Sequence, residues 1–198
     1  MNKTLFTHRG MWALWDYNHF KHINSIEEFE NTFRNEEDVE NQVKSNRFVP
    51  IYVHSNGEFQ FRVKVNEKLD KREKKYTTVS SKPYLFETDG KAYVSGIELI
   101  DNLIFDNEVI ELDLEKGLYE VVINLIEWDR EKGMRLEDGS SHPDALPDFV
   151  IEINRILEKK KKYNTDIHTF GKIKTSKWCF FIYDELLLEV YHFLLLSI

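Results

Sequence analysis

Hydrophobic and polar positions along this chain change their period near Arg47. Before it, Ile26, Phe29 and Phe33 recur at helical spacing, and Val39 with Val43 carries a weaker stripe onward after a break near Asn35. Ser25 opens the run and Glu28 follows at capping-box spacing, so hydroxyl and carboxylate can each take an orphan backbone N–H. Beyond Arg47 the period is two. The apolar run 48–54 leads into Ser55-Asn56-Gly57, after which Phe59, Phe61, Val63 and Val65 alternate with Gln60, Arg62 and Lys64. Asn-Gly between two such runs predicts a type I′ hairpin, whose central residues both take positive φ. Pro50 has no N–H to give a ladder, which sets its strand at a sheet edge or a bulge.

Two further hairpins are predicted on the same ground, 84–88 with 91–95 across Asp89-Gly90, and 109–114 with 118–128 around Glu115-Lys116-Gly117. Three successive hairpins favour an antiparallel meander, and only 97–103 offers even a short crossover helix for a parallel pair. The aromatic stretch 4–20 suits a strand or packed extended arm, LDKREKK (69–75) reads as a basic turn, and 76–80 as a strand. Residues 129–147, DREKGMRLEDGSSHPDALP, form a long polar loop of the kind that carries a site or moves. A short strand over 149–153 follows, with a helix over 148–159 as the alternative. A polar connector, 159–176, then reaches an apolar segment, 178–198, expected to be a helix buried against the sheet. The fold class expected is therefore α+β: one domain over 1–198, a mainly antiparallel β-sheet or sandwich with an N-terminal acidic helix and a C-terminal apolar helix.

Composition narrows the function. At 198 residues, 41% hydrophobic and 14% aromatic, the chain can bury a core. Its net charge of -8 argues against nucleic acid as the main ligand, because phosphate contacts need clustered Lys and Arg, and favours a basic protein. The single cysteine, Cys179, makes no intramolecular disulfide, and the N-terminal stretch lacks the apolar core of a secretory signal, so a cytoplasmic location is expected. Asp184, Glu185, Glu189 and His192 interrupt the apolar segment, which argues against a membrane span.

Catalytic chemistry has few footholds. Only His19 and His22 are near one another in sequence, and no third ligand accompanies them, so neither metal nor cofactor is expected. Cys179 lies between Trp178 and Phe180, the setting of an inert packing thiol. The run Ser140-Ser141-His142-Pro143-Asp144 has the residue types of a triad without an elbow motif, and a solvated loop accounts for it. The better enzyme candidate is a small hydrolase using carboxylates of the 127–144 region: Glu127, Asp129 and Glu131 at a strand end, with Glu137 and Asp138 beyond.

The stretch 25–44 places seven carboxylates (Glu27, Glu28, Glu30, Glu36, Glu37, Asp38 and Glu40) around Arg34. Most acidic helices are solvated outer faces. Here the acids have almost no basic partners within the helix and crowd at 36–40, where like charges cost stability unless they serve attraction to a basic partner.

An acidic protein rich in aromatic strands, without catalytic motifs and with a concentrated acidic helix, resembles in overall format the bacterial immunity proteins that neutralise nuclease toxins, including those of contact-dependent growth inhibition. The resemblance implies stoichiometric binding of a basic toxin domain. On that reading Glu27, Glu30, Glu36, Glu37, Asp38 and Glu40 meet the toxin's cations, and Trp12, Trp15 or Tyr17 supply apolar anchors. Asp129, Glu131, Glu137 and Asp138 of the polar loop form a second candidate surface. A homo-oligomeric structural protein pairing through the C-terminal apolar segment is the remaining alternative.

Overall fold

The structure, a computed structural model, describes residues 2–100, 108–159 and 162–171. The described strands are β1 (Lys3–Thr7), β2 (Met11–Asp16), β3 (Phe48–Tyr52), β4 (Gly57–Val65), β5 (Thr77–Ser80), β6 (Tyr84–Thr88), β7 (Lys91–Gly96), β8 (Val109–Asp113), β9 (Gly117–Ile126) and β10 (Phe149–Ile156). The described α-helices are α1 (Tyr17–Phe20), α2 (Ile26–Phe33), α3 (Glu36–Lys44) and α4 (Lys71–Tyr76). One sheet runs β1-β4-β10-β9-β5, with β6 also paired to β9, and the other runs β3-β2-β7-β8. Every pairing is antiparallel except β4 with β10, so the class is the expected α+β with antiparallel-rich sheets.

Side-chain alternation fixes the layers. Phe149, Ile151 and Ile153 of β10 and Phe59 and Phe61 of β4 turn toward the second sheet, where Trp12 of β2 meets Phe59 edge-on at 5.1 Å and Phe61 at 5.7 Å. On the opposite side of β2, Trp15 packs on Phe20 of α1, which stacks on Phe33 of α2, so α1 to α3 lie over the outer face of that sheet. All six residues of β2 are buried because both of its faces are covered. The other sheet is covered differently: Val150 and Ile126 meet Leu69 and Leu146, and Arg62 and Lys64 of β4 meet Glu73 of α4. The order of layers is thus helices α1–α3, four-stranded sheet, six-stranded sheet, and α4 with the 128–148 segment.

This layering overturns the meander. In each of the three expected hairpins the two strands belong to different sheets: β3 and β4, β6 and β7, and β8 and β9. The glycine turns do reverse the chain, but they hand it from one sheet to the other. At the first, positive φ falls on His54 (64°) and Gly57 (144°), not on the adjacent pair a type I′ turn requires. Pro50 does lie in an edge strand, opposite Ala13. The stretch 149–153 is a strand and extends to Ile156, which removes the helical alternative.

Two local expectations change as well. LDKREKK is no turn: Asp70 accepts from the N–H groups of Arg72 and Glu73 while Glu73 returns a bond to the Asp70 N–H, a capping box that starts α4. Of 97–103, Ile97–Ile100 forms one 3₁₀ turn. Residues 162–171 run as an extended strap, bridging β6 at Tyr84 and Asn164 and β3 at Tyr52 and Thr169, with Phe170 buried against Phe149. The predicted C-terminal helix and Cys179 lie outside the described residues. Among the described residues no helix is long and apolar enough to cross a membrane.

Candidate functional site

The acidic stretch is two helices. Asn35, with φ of -150°, ends the first and caps the second by accepting from the Asp38 N–H at 3.1 Å. The Ser25 hydroxyl accepts from the Glu28 N–H at 3.2 Å, while the Glu28 carboxylate returns its bond one residue earlier, to the N–H of Asn24 at 2.9 Å. Phe29, Phe33, Val39 and Val43 face the core, which leaves the carboxylates on the outer side.

The break at Asn35 alters the reading of the charge. Glu36, Glu37 and Asp38 now occupy the first turn of α3, and Glu27 and Glu28 that of α2. Each such carboxylate gains about 0.3–1 kcal/mol from the positive helix end, which offsets the cost of crowding. Two acids also have basic partners after all: Arg34 pairs with Asp38 at 3.5 Å and Lys44 with Glu40 at 3.3 Å. Among the described residues Glu27, Glu30, Glu36 and Glu37 form no ion pair. Glu30 lies beyond the first turn of α2, so no helix end accounts for it. Burial and then the Glu40 carboxylate push the Glu36 carboxyl above its ordinary value.

The anchors expected beside these acids are elsewhere. Trp12 and Trp15 are fully buried between layers, and Tyr17 is half-buried against Tyr93 beneath Lys91. Trp12 is covered by the facing sheet and Trp15 by the helical layer, and the strand pattern alone shows neither cover. Ile26 takes that place instead: it is 56% exposed, next to Glu27 and one helical turn before Glu30.

The polar loop treats its acids differently. Glu127 pairs with Arg130 at 3.2 Å, Asp129 with Arg135 at 2.7 Å, and Glu131 with Arg72 of α4 at 2.7 Å. Asp138 accepts from the Ser140 hydroxyl at 2.6 Å, which holds its carboxyl below the ordinary value, and Glu137 is exposed. Backbone bonds from Leu136 to Ser140 and from His142 to Met134 fold the loop on itself. These three carboxylates are each matched to a separate guanidinium.

The remaining candidates also resolve into structure. Ser140 gives its hydroxyl to Asp138, while the His142 Nδ1 accepts from the Asp144 N–H at 3.1 Å, so neither group is directed at the other. The His22 ring bonds the His19 carbonyl at 2.9 Å. Among the described residues no three His, Cys, Asp or Glu side chains are grouped to hold a metal ion.

Two polar groups lie outside every candidate set, Asp16 buried and Asp148 partly so. Asp16 accepts from the Thr88 hydroxyl at 2.7 Å, the Asp89 N–H at 3.0 Å and the His19 N–H at 2.9 Å. Asp148 accepts from the Gln60 N–H at 2.7 Å and the Trp128 indole at 2.8 Å, and burial pushes its carboxyl up. Lysines 71, 74 and 75 are exposed on a helix and not on the expected basic turn, and Asp70 and Glu73 stand at capping-box spacing.

No protein-family model and no curated protein matches the chain. Solved structures do. The protein of "Crocagin biosynthetic gene J" superposes with a TM-score of 0.55 over 78% of this chain and 95% of that one, at 16% identity. ComJ from Bacillus subtilis, inhibitor of the DNA-degrading activity of NucA, superposes with a TM-score of 0.48 over 79% of this chain and 96% of that one, at 7% identity. What the first of these shares with this chain is its fold.

Proposed function

We propose that this chain is a non-catalytic binding protein of the immunity kind, which neutralises a basic toxin domain, of nuclease type, by stoichiometric contact through the outer face of α2 and α3. One observation carries the reading: the two acidic surfaces differ in what neutralises them. Among the described residues Glu127, Asp129 and Glu131 of the loop are each held by an arginine, which leaves Glu137 and Asp138 without an ion pair, whereas on α2 and α3 only Asp38 and Glu40 are paired and Glu27, Glu30, Glu36 and Glu37 form no ion pair. Carboxylates already paired within the chain have little attraction left to offer, and unpaired ones on a rigid helical layer attract a cationic partner and speed its association. Ile26 offers the apolar contact such an interface needs at its centre.

The same comparison weighs against the hydrolase reading, whose carboxylates are dispersed among separate cations. The test is direct. The protein encoded beside this gene is purified with this one, and binding and nuclease activity are measured. One-to-one binding that weakens with salt, abolishes the nuclease and is lost in a Glu30→Lys/Glu37→Lys variant supports the proposal. A neighbour with no toxic activity, together with a charge-reversed variant that still binds every partner recovered from the source cell, overturns it.

A further inference from the structure

In the outer layer opposite α2 and α3, helix α4 presents a row of lysines beside the acidic 128–148 segment. Lys71, Lys74 and Lys75 of α4 are exposed, and Lys68 just before it keeps 67% of its side chain in solvent with Glu152 at 3.9 Å. Among the described residues Lys71 and Lys74 form no ion pair, and Lys75 lies over its neighbour Tyr76 at 4.9 Å. The helix beneath these lysines is held firmly. Glu73, wholly buried, accepts from Arg62 at 2.7 Å and meets Lys64 at 2.7 Å, and Arg72 reaches across to Glu131 and to the Asp144 carbonyl. A six-residue helix would not persist alone in water, so this anchoring is what keeps the lysines in one array.

We infer that the α4 lysines are a docking surface for the α2–α3 face of a second copy of this chain, so that copies associate head to tail. The two faces cannot meet within one molecule, because both sheets lie between them. They are complementary in sign and scale: Lys71 to Lys75 rises about 6 Å along its helix and Glu27 to Glu30 about 4.5 Å along its own. A second copy brings this acidic face. The contact is heterologous, leaving a lysine face free at one end of each pair and an acidic face at the other, so growth does not stop at a dimer. Lys71, Lys74, Lys75, Glu27 and Glu37 are exposed and Glu30 is half-buried, so association is weak and screened by salt. The inference goes beyond the toxin reading and needs no toxin, although a basic partner would compete for the same acidic face.

Sedimentation of the full chain tests it without any partner present. At low ionic strength the average mass is expected to rise above that of a monomer with increasing concentration, without a plateau at the dimer, and to return to the monomer at high salt. Lys71→Glu/Lys74→Glu/Lys75→Glu alone and Glu27→Lys/Glu30→Lys/Glu37→Lys alone are each expected to sediment as monomers, and their equimolar mixture to associate. That rescue excludes misfolding of either variant as the cause. A wild-type chain that stays monomeric at every concentration at low salt overturns the inference. So does a lysine-reversed variant that associates like the wild type, or a monomeric wild type that instead binds a duplex oligonucleotide.

Discussion

Glu73 of α4 accepts a hydrogen bond from Arg62 of β4 at 2.7 Å, and no part of Glu73 is exposed. Its second oxygen meets Lys64 at 2.7 Å and also accepts from the Asp70 N–H at 2.8 Å, so one carboxylate closes the capping box and fastens the helix to the sheet. Removing one partner of a buried ion pair strands the other, at about 3–5 kcal/mol. Because 26% of Arg62 and 12% of Lys64 remain in water, the lower end of that range applies. Glu73→Ala is therefore expected to lower the free energy of unfolding by about 3 kcal/mol, read as a shift in the urea midpoint. A midpoint within error of the wild type would show that the pair contributes nothing net.

Asp16 does the corresponding work on the other sheet. It ends β2, caps α1 through the His19 N–H, and gathers Thr88 and the Asp89 N–H from the turn between β6 and β7. Arg47 approaches it at 3.7 Å and pairs also with Glu87 at 3.1 Å and Asp89 at 3.2 Å. That turn is one of the four places among the described strands where the chain changes sheet, so Asp16 ties a crossing to the helical layer. Asp16→Ala leaves several donors unpaired at once and is expected to cost roughly 3 kcal/mol, the upper end for hydrogen bonds to a charged group. The check is thermal unfolding of the variant beside Thr88→Val, which removes one donor only and should cost less. Equal losses in the two variants would mean that the hydroxyl, not the carboxylate, holds the crossing.

Arg72 links α4 to the polar loop. Its Nε donates to both oxygens of Glu131, at 3.0 and 2.8 Å, and its Nη2 donates to the Asp144 carbonyl at 2.7 Å. Arg72→Ala is expected to free the loop locally while leaving the core intact, because local openings are governed by the few contacts that close them. In hydrogen exchange, amides of 131–144 should lose protection while those of β9 and β10 keep theirs. Unchanged exchange in the loop would show that its own turns, not Arg72, hold it.

Which of these features could be read from the chain depends on how local their causes are. Ser25 with Glu28 and the break at Asn35 were legible because a cap is set by residues a few positions apart, and the Asp70 and Glu73 spacing was there to be read by the same rule. The glycine turns were legible as reversals but not as crossings. Turn chemistry fixes the φ of Gly57 or Gly117, not the sheet that the next strand joins. A sign was present: 48–52 is apolar without alternation, as suits a strand covered on both faces, whereas 58–65 alternates. Two runs of different character on either side of one turn belong to different environments. The candidate surface was legible as charge alone: spacing offers the near pairs Glu127–Arg130 and Arg34–Asp38, but not a distant one such as Glu131 with Arg72.

His168 lies on the strap between Tyr84 and Phe170: its N–H donates to the Tyr84 hydroxyl at 3.1 Å, and its ring meets Phe170 at 4.6 Å. Burial, and then the charge of Lys82, hold its imidazole below the ordinary 6.5, and His19 is lowered chiefly by burial too. An imidazole with a lowered folded-state value binds its proton more readily once the chain unfolds. The unfolded chain therefore gains protons first as pH falls, and stability is whole above 6.5 and declines as pH drops from there toward the folded-state values. Asp148, raised by burial, acts with the opposite sign, but only in the carboxylate range further down. Urea midpoints measured from neutrality into mild acid should fall for the wild type and fall less for His168→Gln, which keeps a neutral side chain there. If the two pH profiles run parallel, His168 has no part in the acid sensitivity and the strap is held independently of its charge.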